Sequence, residues 1–243
     1  VLGINFGPYK TQEYYNNIHN MLSNVEDVCF RDKYSYNLFK DLPNVRQAAD
    51  IVFSMDMSNI KNTNRKRAII SIISPKDKIN KKYKKQYEEK MLELISFLIV
   101  KGYEICLMSF CKIEHDEEEI EEIYSKIPEK QRKNVEKYYY DGNVEEALNT
   151  IADSQLVVGG RFHANIIGLC LGKSILPVLY SDKTLHVLQD MQIDTPIIDI
   201  RNLESFDIKS ITDDDLTRHY DVEKQKEDAQ RHFEKLDLQL KKT

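Results

Sequence analysis

The residues with the most chemistry per position lie at Gly159-Gly160-Arg161-Phe162-His163. Arginine offers a planar, two-pronged donor suited to phosphate or carboxylate, and histidine donates a hydrogen bond or moves a proton near neutral pH. Two glycines beside them let a ligand approach the backbone closely. Together these types read as an anion site. No Asp or Glu occurs between Ser154 and Ser181, so Arg161 has no carboxylate nearby in sequence. A cation at a helix start, where the dipole disfavours it, is then expected to await an anionic ligand. The plain alternative is a tight turn with a surface arginine and a histidine that bonds the backbone.

An anion site needs elements to aim it. Residues 155–158 are short, apolar and β-branched at their end, as in a buried parallel strand, and Gly159-Gly160 ends the run. Phe162, Ile166, Leu169 and Cys170 then recur at helical spacing, Gly172 closes that helix, and 174–180 reads as the next strand. In a strand, turn, helix unit the helix N-terminus opens at the carboxyl edge of the sheet, where its dipole attracts anions.

The same rhythm runs through the chain. Strands are expected at 1–6, 25–31 and 49–55, with helices at 11–21, capped by Thr11, and at 35–40. About three strands are fewer than a stable α/β layer uses, so 1–58 is expected to be the back half of an N-terminal α/β domain. In it Arg31 and Asp32 stand where a strand meets its loop, the ligand edge of an open sheet; a salt bridge between them or to a neighbour is the alternative. The polar, partly basic stretch 59–66 reads as a linker. Strands at 68–74, 104–110, 135–140, 155–158, 174–180 and 195–200 alternate with helices at 82–100, 117–125, 144–152, 162–171 and 183–191. About six strands with helical crossovers predict a doubly wound parallel sheet, a Rossmann-like domain over 67–215. The polar end, 216–243, is expected to form a helical segment that crosses the domain junction.

Composition limits the partners. The 243 residues are 41% hydrophobic with a net charge of −5, enough for a real core and no general affinity for nucleic acid. Cys29, Cys106, Cys111 and Cys170 lack metal spacing and read as packed thiols. His115 has no second histidine nearby, and no metal is expected. The six lysines from Lys76 to Lys85 fit a solvated loop and helix start better than a lipid-phosphate contact, and the acidic run Glu114 to Glu122 suits the first half of a helix. No apolar run approaches the ~20 residues of a membrane span and the start is no signal peptide, so a cytoplasmic protein with at most peripheral contact at the inner face of the membrane is expected. The opening on Val1, directly on a strand, suggests further sequence upstream. There is no P-loop and no nucleophile elbow, and Gly3-x-x-x-Gly7 is too loose for a dinucleotide fingerprint.

Taken together, these elements resemble the polysaccharide pyruvyl transferase family, which moves the enolpyruvyl unit of phosphoenolpyruvate onto a sugar as a cyclic ketal on a GT-B-like two-domain fold. The resemblance covers nearly the whole chain. It is most specific from Ala152-Asp153-Ser154 through Gly159-Gly160-Arg161-Phe162-His163-Ala164, similar to the family's strand-to-helix Arg-x-His segment, with Tyr180 and Lys183 following at family-like spacing. Weaker matches at Asn5-Phe6-Gly7-Pro8-Tyr9, Cys29 to Ser35 and Ala49 to Phe53 resemble the back half of the first domain, while the family's opening strand and its Gly- and Asn-containing loop are absent.

The resemblance implies phosphoenolpyruvate as donor, no cofactor besides it, no metal, and a sugar acceptor of a surface or capsular polysaccharide, lipid-linked acceptors included. Under it Arg161 and the helix start hold phosphate, Arg31 holds carboxylate, and His163 is general acid to C3 or a phosphate donor. Asp32 or Asp50 orients the sugar or acts as base. Gly159, Gly160, Asn165, Tyr180 and Lys183 complete the expected substrate-binding set. Two other functions fit the same architecture: a GT-B glycosyltransferase using a nucleotide sugar, and an inactive binding or assembly module of a polysaccharide system. Many of the former place an acidic residue near this helix for the ribose, and Ser154 to Ser181 has none.

Overall fold

Continuous runs of aliphatic residues form the central strands. Ala68, Ile69 and Ile70 pair in parallel with Leu156, Val157 and Val158, and all six are fully buried, as strands covered on both faces require. The computed structural model describes residues 1–75 and 82–241, and the chain divides into two units. The smaller is Val1–Asp56, His186–Ile193 and Asp221–Thr243; the larger is Met57–Leu185 and Asp194–Tyr220.

The smaller unit begins with β1 (Leu2–Ile4), α1 (Gln12–Ser23), β2 (Val28–Phe30), α2 (Lys33–Phe39) and β3 (Val45–Gln47). Its three strands pair in parallel in that order. Thr11 caps α1 as expected, accepting from the Tyr14 N–H at 3.2 Å. Phe30 and Phe39 stack in its core beside Phe6, Leu22 and Val28. The strand expected at 49–55 does not form. Strand pairing ends at Gln47, and Ile51–Ser54 is a 3-10 turn that Asp50 caps through the Val52 N–H at 2.9 Å, with buried Phe53 as its anchor.

The larger unit holds β4 (Arg67–Ser71), α3 (Lys82–Val100), β5 (Glu104–Met108), α4 (Asp116–Lys126), α5 (Glu129–Arg132), β6 (Val135–Tyr138), α6 (Val144–Ala152), β7 (Leu156–Gly159), α7 (Phe162–Cys170), β8 (Ser174–Leu179), α8 (Asp182–Asp190) and β9 (Ile198–Asp199). The division between units falls inside α8, after Leu185. The six parallel strands run in the order β6-β5-β4-β7-β8-β9, the doubly wound order whose direction reverses between β4 and β7. One face of α3, formed by Tyr87, Met91, Leu94, Ile95 and Leu98, is 0–1% exposed and packs into the same core as the strands. Of the lysine run, Lys76 to Lys81 lies outside the described residues, while Lys85 pairs with Glu89 on α3.

The polar end does not remain with the larger unit. Leu216 is buried in that unit's core, whereas α9 (Glu223–Gln230) and α10 (Glu234–Leu240) belong to the smaller one. There Asp228 accepts from the Ala49 N–H at 2.7 Å, and the His232 ring lies 2.8 Å from the Ala49 carbonyl.

The expected linker, 59–66, is part of the larger unit and is fastened to it by a buried amine. Lys173, 0% exposed, donates to the Ala152 carbonyl at 2.6 Å and to Asn62 Oδ1, while Asn62 Nδ2 donates to the Leu171 carbonyl at 2.8 Å. Burial lowers the Lys173 pKa to about 8, with Asp153 pulling the other way. An ammonium lowered in the fold leaves the unfolded chain holding the extra proton between pH 8 and the ordinary lysine value, so stability rises with pH through that window. Relative to Lys173→Met, the parent should gain up to about 3 kcal/mol between pH 8 and 10.5, measured by urea unfolding. A constant difference across that range would show that Lys173 titrates normally.

Candidate functional site

The reversal of strand direction puts the ends of β4 and β7 side by side, which is where open α/β sheets bind ligands. At this edge the Gly160 N–H donates to the Ser71 carbonyl at 3.1 Å and the Arg161 N–H to Ser71 Oγ at 3.2 Å. A Cβ on Gly160 would lie 2.3 Å from that carbonyl oxygen, and one on Gly159 would lie 2.1 Å from Asn165 Oδ1. The two glycines therefore serve the fold's own close packing. Asn165 is fully buried and ties the turn together, donating from Nδ2 to the carbonyls of Gly159 at 2.9 Å and Arg161 at 3.2 Å.

Arg161 is the N-cap residue of α7, and its guanidinium is clamped. Nε donates to Asp116 Oδ2 at 2.9 Å, Nη2 to Asp116 Oδ1 and Nη1 to Glu114 Oε2. The side chains of Arg161 and Asp116 are 12% and 0% exposed. Asp116, the first residue of α4, also accepts from the N–H groups of Phe110 at 3.2 Å and Cys111 at 3.0 Å. The expectation of an Arg161 without a carboxylate partner is thus corrected. Burial works against the charged guanidinium, but its hydrogen bonds to Asp116 and Glu114 outweigh it and raise its pKa. Asp116 follows β5 and Arg161 follows β7, the two strands that flank β4, so their loops meet across its end.

Tyr180, just past β8, feels the same charges: burial raises its pKa, Arg161 lowers it, and Glu114 and Asp116 raise it. His163 is exposed in the first turn of α7, its ring edge-on to Phe162 at 5.0 Å. Lys183 is exposed in the first turn of α8.

The remaining candidates lie in the smaller unit. Arg31, at the end of β2, donates from Nη1 to Asp50 Oδ2 and from Nη2 to Asn5 Oδ1, both at 2.9 Å, and its side chain is 13% exposed. Arg31 and Asp50 line a cavity of about 500 Å³ with Lys33, Gln47, Phe53 and Gln225. Asp32 is the N-cap of α2. Its Oδ1 accepts from the Ser35 N–H at 2.7 Å, its Oδ2 from Ser35 Oγ at 2.9 Å, and the residue is 4% exposed. A carboxylate with both oxygens engaged and so little exposure is a cap, and the expectation of Asp32 as base is withdrawn. The sequence reading missed Asp116 and Glu114, because their partner is remote in sequence, and the wall of the cavity that α9 supplies.

A family model, polysaccharide pyruvyl transferase, matches residues 1–182, spanning the switch-point turn and the Arg161-Phe162-His163 triplet. The chain belongs to the polysaccharide pyruvyl transferase family. No curated protein matches it in sequence. Among solved structures it is similar to TarM, with a TM-score of 0.54 and 12% identity over 99% of this chain and 48% of that one. A UDP-forming trehalose-phosphate synthase from Burkholderia xenovorans gives 0.53 and 9%, over 96% and 66%. An E. coli trehalose-6-phosphate structure bound with UDP-2-fluoro glucose gives 0.51 and 10%, over 97% and 63%. At such identities the likeness is one of fold alone, and the fold of this family member is GT-B-like, as the sequence implied. The chain spans 48% to 66% of the length of these structures. Among the described residues no helix is long and apolar enough to cross a membrane.

Proposed function

We propose that the protein is a pyruvyl transferase, moving the enolpyruvyl group of phosphoenolpyruvate onto a sugar of a surface or capsular polysaccharide, or its precursor, as a cyclic ketal. The observation that carries the reading is the family match across residues 1–182, which includes Arg161 and His163 at the start of α7. The donor's phosphate is held by the Arg161 guanidinium and the positive end of the α7 dipole. For that, half-exposed Glu114 gives up Nη1 to the phosphate, while Asp116 keeps its two bonds and fixes the fork.

His163 protonates C3, which turns C2 into an oxocarbenium-like centre. One sugar hydroxyl adds to C2, a second displaces phosphate, and the ketal closes. Of the two hydroxyl protons, one is made up at C3, where the methyl group forms, and the other leaves with phosphate. Within the smaller unit, Arg31 offers a cation to a carboxylate and Asp50 an acceptor to a sugar hydroxyl. No cofactor besides phosphoenolpyruvate enters this scheme. We place the protein in the cytoplasm, a reducing compartment in which its four free cysteines stay thiols.

Thermal melting tests the donor. A ligand that binds only the native state at 100 times its Kd stabilises it by about 2.7 kcal/mol, so phosphoenolpyruvate should raise Tm by several degrees while UDP- and GDP-sugars leave it unchanged. A rise with a nucleotide sugar and silence with phosphoenolpyruvate would transfer the protein to the glycosyltransferases whose fold it shares. Stabilisation by phosphoenolpyruvate without turnover would favour the binding module.

A further inference from the structure

Two helices of the larger unit bring three carboxylates to one place. Glu88 comes from α3, Glu119 and Glu122 come from α4, and one oxygen of each lies within 4.8 Å of the other two. Glu119 and Glu122 share a helix face because residues three apart are neighbours on it. Glu88 and Glu119 are only 6% and 2% exposed, while Glu122 is exposed, so the cluster has a buried floor and an open rim.

Glu119 is poorly served there. Its Oε1 is buried and has no hydrogen-bond partner among the described residues, a costly state for a carboxylate oxygen. Among the described residues the one cation close to all three groups is the Lys84 ammonium, 2.6 Å from Glu122 and 3.6 Å from each of Glu88 and Glu119, while Lys126 pairs with Glu88. At 3.6 Å an ammonium is outside hydrogen-bonding distance of Glu119.

We infer that Glu88, Glu119 and Glu122 form a divalent-cation site between α3 and α4, selective for hard metals of the Ca²⁺ and Mn²⁺ kind, with Lys84 as its built-in competitor. The donors are all oxygens, which disfavours zinc and soft metals. Ligands at about 2.3–2.6 Å from a common ion lie no more than about 5 Å apart, and the observed spread fits that limit. A divalent ion brings two charges to the floor where an ammonium brings one, and it reaches the oxygen that Lys84 leaves bare. The first residue of α4 is Asp116, the partner of Arg161, so an ion tying α4 to α3 steadies the clamp without touching any substrate.

Calorimetry with CaCl₂ and electron paramagnetic resonance with MnCl₂, on the full chain without substrate, test this. The parent should bind a single ion saturably and melt higher with it. Glu119→Gln should weaken binding by about tenfold or more, and Lys84→Met, which removes the competitor, should tighten it by several-fold. If the first variant folds poorly, Glu122→Gln at the exposed rim replaces it with the same expected loss. No saturable binding by parent or Lys84→Met up to about 10 mM, beyond the range of weak oxygen sites, would overturn the inference. So would equal affinities in the parent and in a folded glutamine variant. Because no readout involves phosphoenolpyruvate, the result stands apart from the proposed reaction.

Discussion

Asp116→Ala is expected to cost about 3–5 kcal/mol of stability and to remove the proposed pyruvyl transfer, because the Asp116 carboxylate is fully buried and paired. Two effects add. The substitution strands the Arg161 guanidinium, 12% exposed, with half-exposed Glu114 still beside it, and it strips the acceptor from the N–H groups of Phe110 and Cys111. It also releases the fork that is aimed by two bonds to one carboxylate, and a misplaced anion contact lowers turnover as well as affinity. Arg161→Ala should weaken phosphoenolpyruvate binding by roughly one to two orders of magnitude, and Arg161→Lys should rescue part of it, since an ammonium keeps charge but not the fork. The double variant Asp116→Ala/Arg161→Ala should be more stable than the sum of the singles implies, because neither charge is left alone. Urea unfolding and calorimetry read the outcome. Additive losses would mean that the pair is not coupled, and unchanged donor affinity in both arginine variants would move the anion site elsewhere.

His163→Ala should leave phosphoenolpyruvate affinity within a few-fold and lower turnover by about 10²–10⁴. The expectation rests on placement. His163 is exposed on the first turn of α7, two residues past the clamped arginine, where a side chain reaches a bound anion without bearing on the core. Stability should therefore change little. His163→Gln separates two roles, since glutamine donates a hydrogen bond but delivers no proton. Turnover as low as in the alanine variant supports the general acid; recovered turnover assigns His163 to holding phosphate instead. Phosphate release on the full-length protein is the measurement, and parental rates in both variants would end any catalytic role for His163.

Much of the scaffold was legible because its signals are local. The helices at 82–100 and 144–152 have the expected bounds, since an apolar face at helical spacing is written within one element. The four central strands were visible as apolar runs, and the alternation of strands with helices predicts a doubly wound parallel sheet. The expected strand at 49–55 shows the limit of such reading. Its apolar composition suits a strand or a turn equally, and Asp50, capping the Val52 N–H, decides for the turn. Asp32 is a similar case, because an aspartate just before a helix is a cap by local chemistry and a base only by context.

The sequence by itself determined which residues stand at the carboxyl edge of a parallel sheet: Gly159, Gly160, Arg161 and His163 after one strand, Arg31 and Asp32 after another. It did not determine what each of them touches. Arg161 and Asp116 are 45 residues apart, and nothing in either neighbourhood announces the other. They meet because β5 and β7 lie on opposite sides of β4, an adjacency set by the winding of the whole sheet. The same adjacency brings the Ser71 carbonyl against Gly160, a close approach that only the tertiary structure reveals. Spacing along the chain reports helix faces and strand ends, which are local geometry. Which two strand ends become neighbours is a property of topology, and the tertiary structure alone decided it.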